Sequence, residues 1–191
     1  HIGSIYEPCD LWAFARLLKE EAQKRHKEGR VRLWGCHLKQ SDVPTDLVSV
    51  IEFFPNTPED TVIECLRRCD ILYAMYPLSS RFRLFSETSL PTKLSTYVQA
   101  GRPIFGHAPA SSTLVKFLET TGLGHTWVNR DVEIGRILLE QTINIQSFDS
   151  ERARKDYFGE NNLETIQAAL SFSGILSFYE SEDSIFRLLL C

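Results

Sequence analysis

The run from Ser86 to Phe105, SETSLPTKLSTYVQAGRPIF, holds the residue types best suited to gripping an anion. Pro91 suits the first turn of a helix, where backbone amides lack partners and a missing N–H costs nothing. Ser89 and Thr92 place hydroxyls beside that turn, and Lys93 puts a positive charge in it. Free amides aligned with a helix dipole form an anion site, and a diphosphate suits this set of donors. Ordinary helix starts share these features, so on chemistry alone the turn is a candidate rather than an activity. His107, closing the run RPIFGH, is a second candidate for contact with phosphate or sugar, and His37, after Gly35, is a third. His26 and His125 read as surface groups. Trp12, Trp34 and Trp127 read as core or interface anchors.

Loops can converge on a ligand only if regular elements bring them to one edge. Short apolar runs alternate with helical stretches along most of the chain. HIGSIY, VRLWGC, VSVIEFF, DILYAMY, RPIFGH and HTWVN read as six strands. Between them, helices are expected over about Asp10 to Glu28, Pro58 to Arg68, Pro91 to Ala100 and Ser111 to Thr121. Leu11, Phe14, Ala15, Leu17 and Leu18 recur at helical spacing in the first. Gly101 stops the third. Beyond Asp131 the chain reads as helices only. Strands separated by helices imply a doubly wound, mainly parallel α/β sheet covered on both faces. Ligands then bind beyond the carboxyl ends of the strands. The long loop Pro77 to Leu90, with Arg81, Arg83 and Glu87, lies on that edge.

The 191 residues fit one domain, 43% hydrophobic and 24% charged, as in ordinary globular proteins. A net charge of -4 gives no electrostatic reason for a nucleic-acid partner. No apolar run approaches the roughly 18 residues of a spanning helix. Cys9, Cys36, Cys65, Cys69 and Cys191 are scattered, without the spacing of a disulfide framework or a zinc site. They favour a reducing, cytoplasmic setting. Walker, GxSxG and HExxH motifs are absent, which removes support for ATPase, esterase and metalloprotease chemistry. Opening on HIGSIY without a Met, the chain reads as a piece of a longer protein.

Pro91, Thr92, Lys93, Leu94, Tyr97, Ala100, Gly101, Arg102, Pro103 and Ile104 together resemble the donor-binding region of group-one retaining glycosyltransferases. These enzymes have two facing Rossmann-like domains, the GT-B fold. CDILYAMYP, HIGSI and VRLWGC are similar to further strands of that family's second domain, and the likeness continues thinly to about Asn144. It covers roughly three quarters of the chain. The resemblance implies that this is the nucleotide-sugar-binding half, with a missing N-terminal half supplying the acceptor site. The final helices, residues 151–191, would pack partly against that half. No metal and no cofactor beyond the nucleoside-diphosphate sugar is implied, and no Asp-x-Asp motif is present.

Carried over by position, Ser89, Pro91, Thr92 and Lys93 surround the donor diphosphate, and Gly3 and Ser4 form the opening turn against it. A Glu that holds the ribose hydroxyls should stand five residues before Gly101, where this chain has Thr96. A second Glu, near the sugar and a tentative catalytic group, falls on Thr88, with Glu87 one place off. The usual cation after the opening Gly is replaced by SIYEPCD, and Lys39, Arg81 and Arg83 are the candidates to compensate. Two alternatives stand beside transfer. One is a non-enzymatic or degenerate relative, favoured by Thr88 and Thr96. The other is half of a sugar-nucleotide epimerase, for which Glu87 and His107 would have to serve.

Overall fold

The structure is a computed structural model that describes residues 1–146 and 149–159. It divides into two compact units, His1–Asp149 and Ser150–Cys191. Of the helices expected over 151–191, only α7 (Ser150–Phe158) falls within the described residues. Its exposed face carries Lys155–Glu151 and Arg152–Asp156 pairs at i,i+4 spacing. The rest of that expectation lies outside the described residues.

The first unit follows the alternating plan. Helix α1 (Pro8–Lys24) starts with Pro8 at its entry and Asp10 in its first turn, both favourable at a helix N-terminus. Its stripe Leu11, Phe14, Ala15 and Leu17 is buried. Strands β1 (Val31–Trp34) and β2 (Ile51–Phe54) pair in parallel, Val31 opposite Ile51. Between them lie two 3-10 turns, Gln40–Asp42 and Thr45–Leu47. After α2 (Glu59–Leu66) comes β3 (Leu72–Met75). The loop expected over Pro77–Leu90 contains a 3-10 turn, Ser80–Phe82, and a short helix, α3 (Arg83–Thr88). Helix α4 (Lys93–Ala100) ends on Gly101, whose φ of 62° is open to glycine and strained for other residues. Then follow β4 (Ile104–His107), α5 (Thr113–Thr121), β5 (Gly124–Trp127) and α6 (Val132–Ile143). Ser112 and Asp131 cap the last two helices with their side chains.

Among the described residues the strands form two parallel sheets, β1-β2 and β3-β4-β5. HIGSIY, read as a first strand, contributes one bridge, Ile2 to Trp34. The physical reason is Gly3, whose φ of 78° turns the chain away before a ladder can extend. Even so, these few residues link both sheets. On the β1 side, the His1 amine donates to Arg32 O, Trp34 N to His1 O and Gly3 N to Trp34 O, at 2.8 to 3.0 Å. On the β3 side, the Tyr97 hydroxyl accepts from Ile2 N at 3.2 Å and donates to Tyr73 O at 2.9 Å. A phenol from α4 thus stands where a backbone ladder would otherwise run.

Helices cover both faces. Helices α1 and α6 pack together on one side, and α2 and α4 pack together on the other, where α5 lies against β4 and β5. Alternation along the strands divides the core accordingly. Tyr73, Met75 and Phe105 join Phe14 and Leu17 of α1, with Phe14 stacked on Tyr73 at 4.1 Å between ring centroids. Removing the Tyr97 hydroxyl should leave the partly buried Ile2 amide without its acceptor and Tyr73 O with one donor fewer. Tyr97→Phe is therefore expected to lower stability by about 1–3 kcal/mol, read as a shift in the urea unfolding midpoint.

Candidate functional site

Helix α4 leads into β4 and runs opposite to it, so its first turn lies at the carboxyl edge of the sheet. That turn is pinned from below. Tyr76, directly after β3, and Thr113, at the start of α5, both donate their hydroxyls to Ser89 O. Pro91 is buried, Thr92 exposed and Lys93 partly exposed. Leu94 N donates back to Pro91 O at 2.9 Å and Ser95 N to Thr92 O at 3.3 Å. The amides of Thr92 and Lys93 find no acceptor among the described residues, and no side chain caps them. Ser89 N, by contrast, is already committed to Phe85 O.

Lys93 makes the charge balance of this turn unusual. Its Nζ lies 3.0 Å from His1 Nε2. His1 Nδ1 lies 2.9 Å from Tyr73 O and its Nε2 3.3 Å from Ser4 O, so the imidazole beside the lysine faces two backbone carbonyls. No carboxylate pairs with Lys93 among the described residues. A cation in the first turn of a helix also faces the positive end of the dipole. Burial pushes the Lys93 ammonium down to about 7.

The other sequence candidates scatter. Gly3 lines a cleft on the same edge, and Ser4 beside it is exposed. Glu87 is held by Ser111 and by Arg83, with Arg83 Nε at 2.9 Å, and these keep its carboxyl below the usual range. Thr88 spends its hydroxyl on Leu84 O in its own helix. Arg81 lies over the Phe82 ring, so neither loop arginine points at the α4 turn as a free cation. His107 does not present itself to a ligand. It is 0% exposed, stacked on Trp127 at 4.3 Å, with its Nδ1 3.1 Å from the Tyr73 hydroxyl. Strand alternation turns it inward toward α1, and burial, opposed by the nearby Asp10 carboxylate, pushes its pKa down to about 4.

Thr96 does lie at the edge, only 7% exposed, and brings an acid that sequence reading missed. Its Oγ1 donates to Glu59 Oε1 of α2 at 2.9 Å. Glu59 sits 37 residues away in sequence, at an ordinary acidic helix start, so no local pattern marks it. A second missed group is Asp10, buried under Arg130, whose Nη2 lies 2.9 Å from Asp10 Oδ1. Ligand atoms of Glu7, Cys9 and Asp10 converge there, among the described residues, but Asp10 is committed to that arginine.

No protein-family model and no curated protein sequence matches the chain. A solved structure does: AviGT4, described as a glycosyltransferase involved in avilamycin A biosynthesis, at 15% identity and a TM-score of 0.55. The match covers 89% of this chain and 51% of that one, so the chain spans about half of that protein's length. The fold is glycosyltransferase-like. At this identity the likeness carries the architecture of one Rossmann-like half and no substrate. Among the described residues, no helix of this glycosyltransferase-like unit is long and apolar enough to cross a membrane.

The buried imidazole makes a pH prediction within this unit. His107 stays neutral when folded down to about pH 4, whereas an unfolded histidine charges near 6.5. Between those values the unfolded chain binds the extra proton, so stability should fall as pH drops from 6.5 toward 4. His107→Phe should flatten that dependence when urea midpoints are compared across the window.

Proposed function

We propose that the first turn of α4 binds the diphosphate of a nucleoside-diphosphate sugar, and that the chain is the donor-binding half of a glycosyltransferase. The observation that carries this reading is the unbalanced turn itself. It combines two unpartnered amides and a partly buried lysine without a counter-ion, all at the positive end of a helix. An anion resolves each of these costs at once. Its place at the carboxyl edge of a parallel sheet is where such folds take ligands, and the fold match is to a glycosyltransferase.

In this reading the Thr92 and Lys93 amides and the Lys93 ammonium stabilise negative charge growing on the leaving diphosphate. Preorganised donors of this kind lower a barrier by several kcal/mol, because they need no reorientation as charge develops. The acceptor side would come from another domain. A second reading, a binding domain that keeps the fold without transfer, is favoured by the engagement of Glu87 with Arg83 and of Thr88 with its own helix. The epimerase alternative has less support, because Glu87 is ion-paired and His107 lies inside the core.

Calorimetric titration with UDP and GDP distinguishes the readings. Lys93→Met should weaken the preferred nucleotide about tenfold, as loss of one charge-assisted hydrogen bond would. Because diphosphate favours the charged lysine, binding above pH 7 should take up a proton, and affinity should fall as pH rises from 7 to 9. A folded chain that binds neither nucleotide, judged by an unchanged far-UV spectrum, would leave only the second reading.

A further inference from the structure

A cavity of about 290 Å³ separates β1 from β3 at their amino ends, on the edge of the sheets away from the α4 turn. Phe14 and Leu18 of α1 form its floor. Val31 and Arg32 of β1 line one wall, Leu72 and Tyr73 of β3 the other, and His1 closes one end. Protein interiors are close-packed, and a gap this large between two strands leaves apolar floor atoms without neighbours.

Both walls are strand edges. Val31 N donates to Val50 O and Gly35 N to Phe54 O, so the odd-numbered amides of β1 face β2. Alternation turns Arg32 N and Trp34 N the other way. Trp34 N reaches His1 O, whereas Arg32 N faces the gap and finds no acceptor among the described residues. On β3, Leu72 N and Tyr76 N donate toward β4, so Tyr73 turns its backbone to the gap. There its carbonyl meets only side chains, His1 Nδ1 and the Tyr97 hydroxyl.

The rungs already present fix a register. Ile2 bridges Trp34 in parallel, through Trp34 N to His1 O and Gly3 N to Trp34 O. The His1 amine donates to Arg32 O at 2.8 Å, which is half of the next rung. A carbonyl two residues before His1 would complete that rung by accepting from Arg32 N. Counting back from Ile2 opposite Trp34, that second residue stands opposite Val31, on the face covered by α1. The amine itself is costly where it lies. His1 is buried, and burial pushes the amine below its usual value, to about 5. A peptide N–H in the same place makes the same bond to Arg32 O and carries no charge.

We infer that the gap seats an extended segment joined to the His1 amine, which runs parallel to β1 and β3 and closes the two sheets into one. The strand order becomes β2-β1-segment-β3-β4-β5, with every neighbour parallel. The segment is apolar on the face it shares with Val31, because Phe14 and Leu18 lie beneath it. Closure of the sheet and anion binding at α4 are separate properties, so either can fail alone.

The test adds Thr-Thr-Val-Thr before His1 and compares it with Thr-Thr-Asp-Thr and with the unextended chain. The third added residue is the one placed opposite Val31. The valine extension should raise the urea unfolding midpoint. The aspartate extension should not, because an unpaired carboxylate is costly to bury. Cys69 lines the gap and is partly exposed, so it reports locally. Iodoacetamide should label it about tenfold more slowly in the valine-extended chain, with exposed Cys9 unchanged as a reference. Equal midpoints and equal Cys69 labelling for the two extensions would overturn the inference. An unextended chain that sediments as a dimer, with Cys69 already protected, would put a second copy in the gap and would overturn it too.

Discussion

The Tyr97 phenol receives the Ile2 amide and donates to the Tyr73 carbonyl, and so ties α4 to both the opening segment and β3. Tyr97 is fully buried, which raises the value of each hydrogen bond and the cost of losing one. Helix α4 cannot slide or rotate without breaking these contacts. Its orientation fixes the other α4 residues that matter: Thr92 and Lys93 at the carboxyl edge and Thr96 one turn further along. The candidate site therefore rests on a hydroxyl that itself never faces it.

That anchor explains how a short helix can carry an unbalanced electrostatic load. Lys93 lacks a carboxylate partner among the described residues and sits where the dipole opposes it, yet the helix start is held on three sides. Tyr76 and Thr113 grip Ser89 O, Leu94 N closes on Pro91 O, and Tyr97 locks the next turn. The packing supplies the stability, and the amides of Thr92 and Lys93 are left without acceptors among the described residues.

The contrast between the two buried bases separates core from site. His107 and Lys93 both have their pKa values lowered by burial. His107 is enclosed by Trp127 and Tyr73 with no opening to solvent, so its neutrality serves packing. Lys93 lies partly exposed at a helix start, so its charge state is coupled to solvent rather than to packing. The direction of the shift is shared, and geometry alone tells the two apart.

Much of the frame was legible in the residues themselves. Alternating apolar runs marked β1 to β5, Pro91 and Gly101 bracketed α4, and the stripe from Leu11 to Leu17 marked α1, because period and caps are local properties. The α4 turn as an anion candidate was legible for the same reason. Only tertiary structure reduced HIGSIY to a single bridge, through the left-handed turn at Gly3, and only it turned His107 inward, since strand alternation needs a known register. The Glu59–Thr96 pair was likewise invisible, because two ordinary residues on separate helices meet only when α2 and α4 pack side by side. Short-range pattern determined which elements form, and the meeting of distant side chains decided what their shared edge can bind.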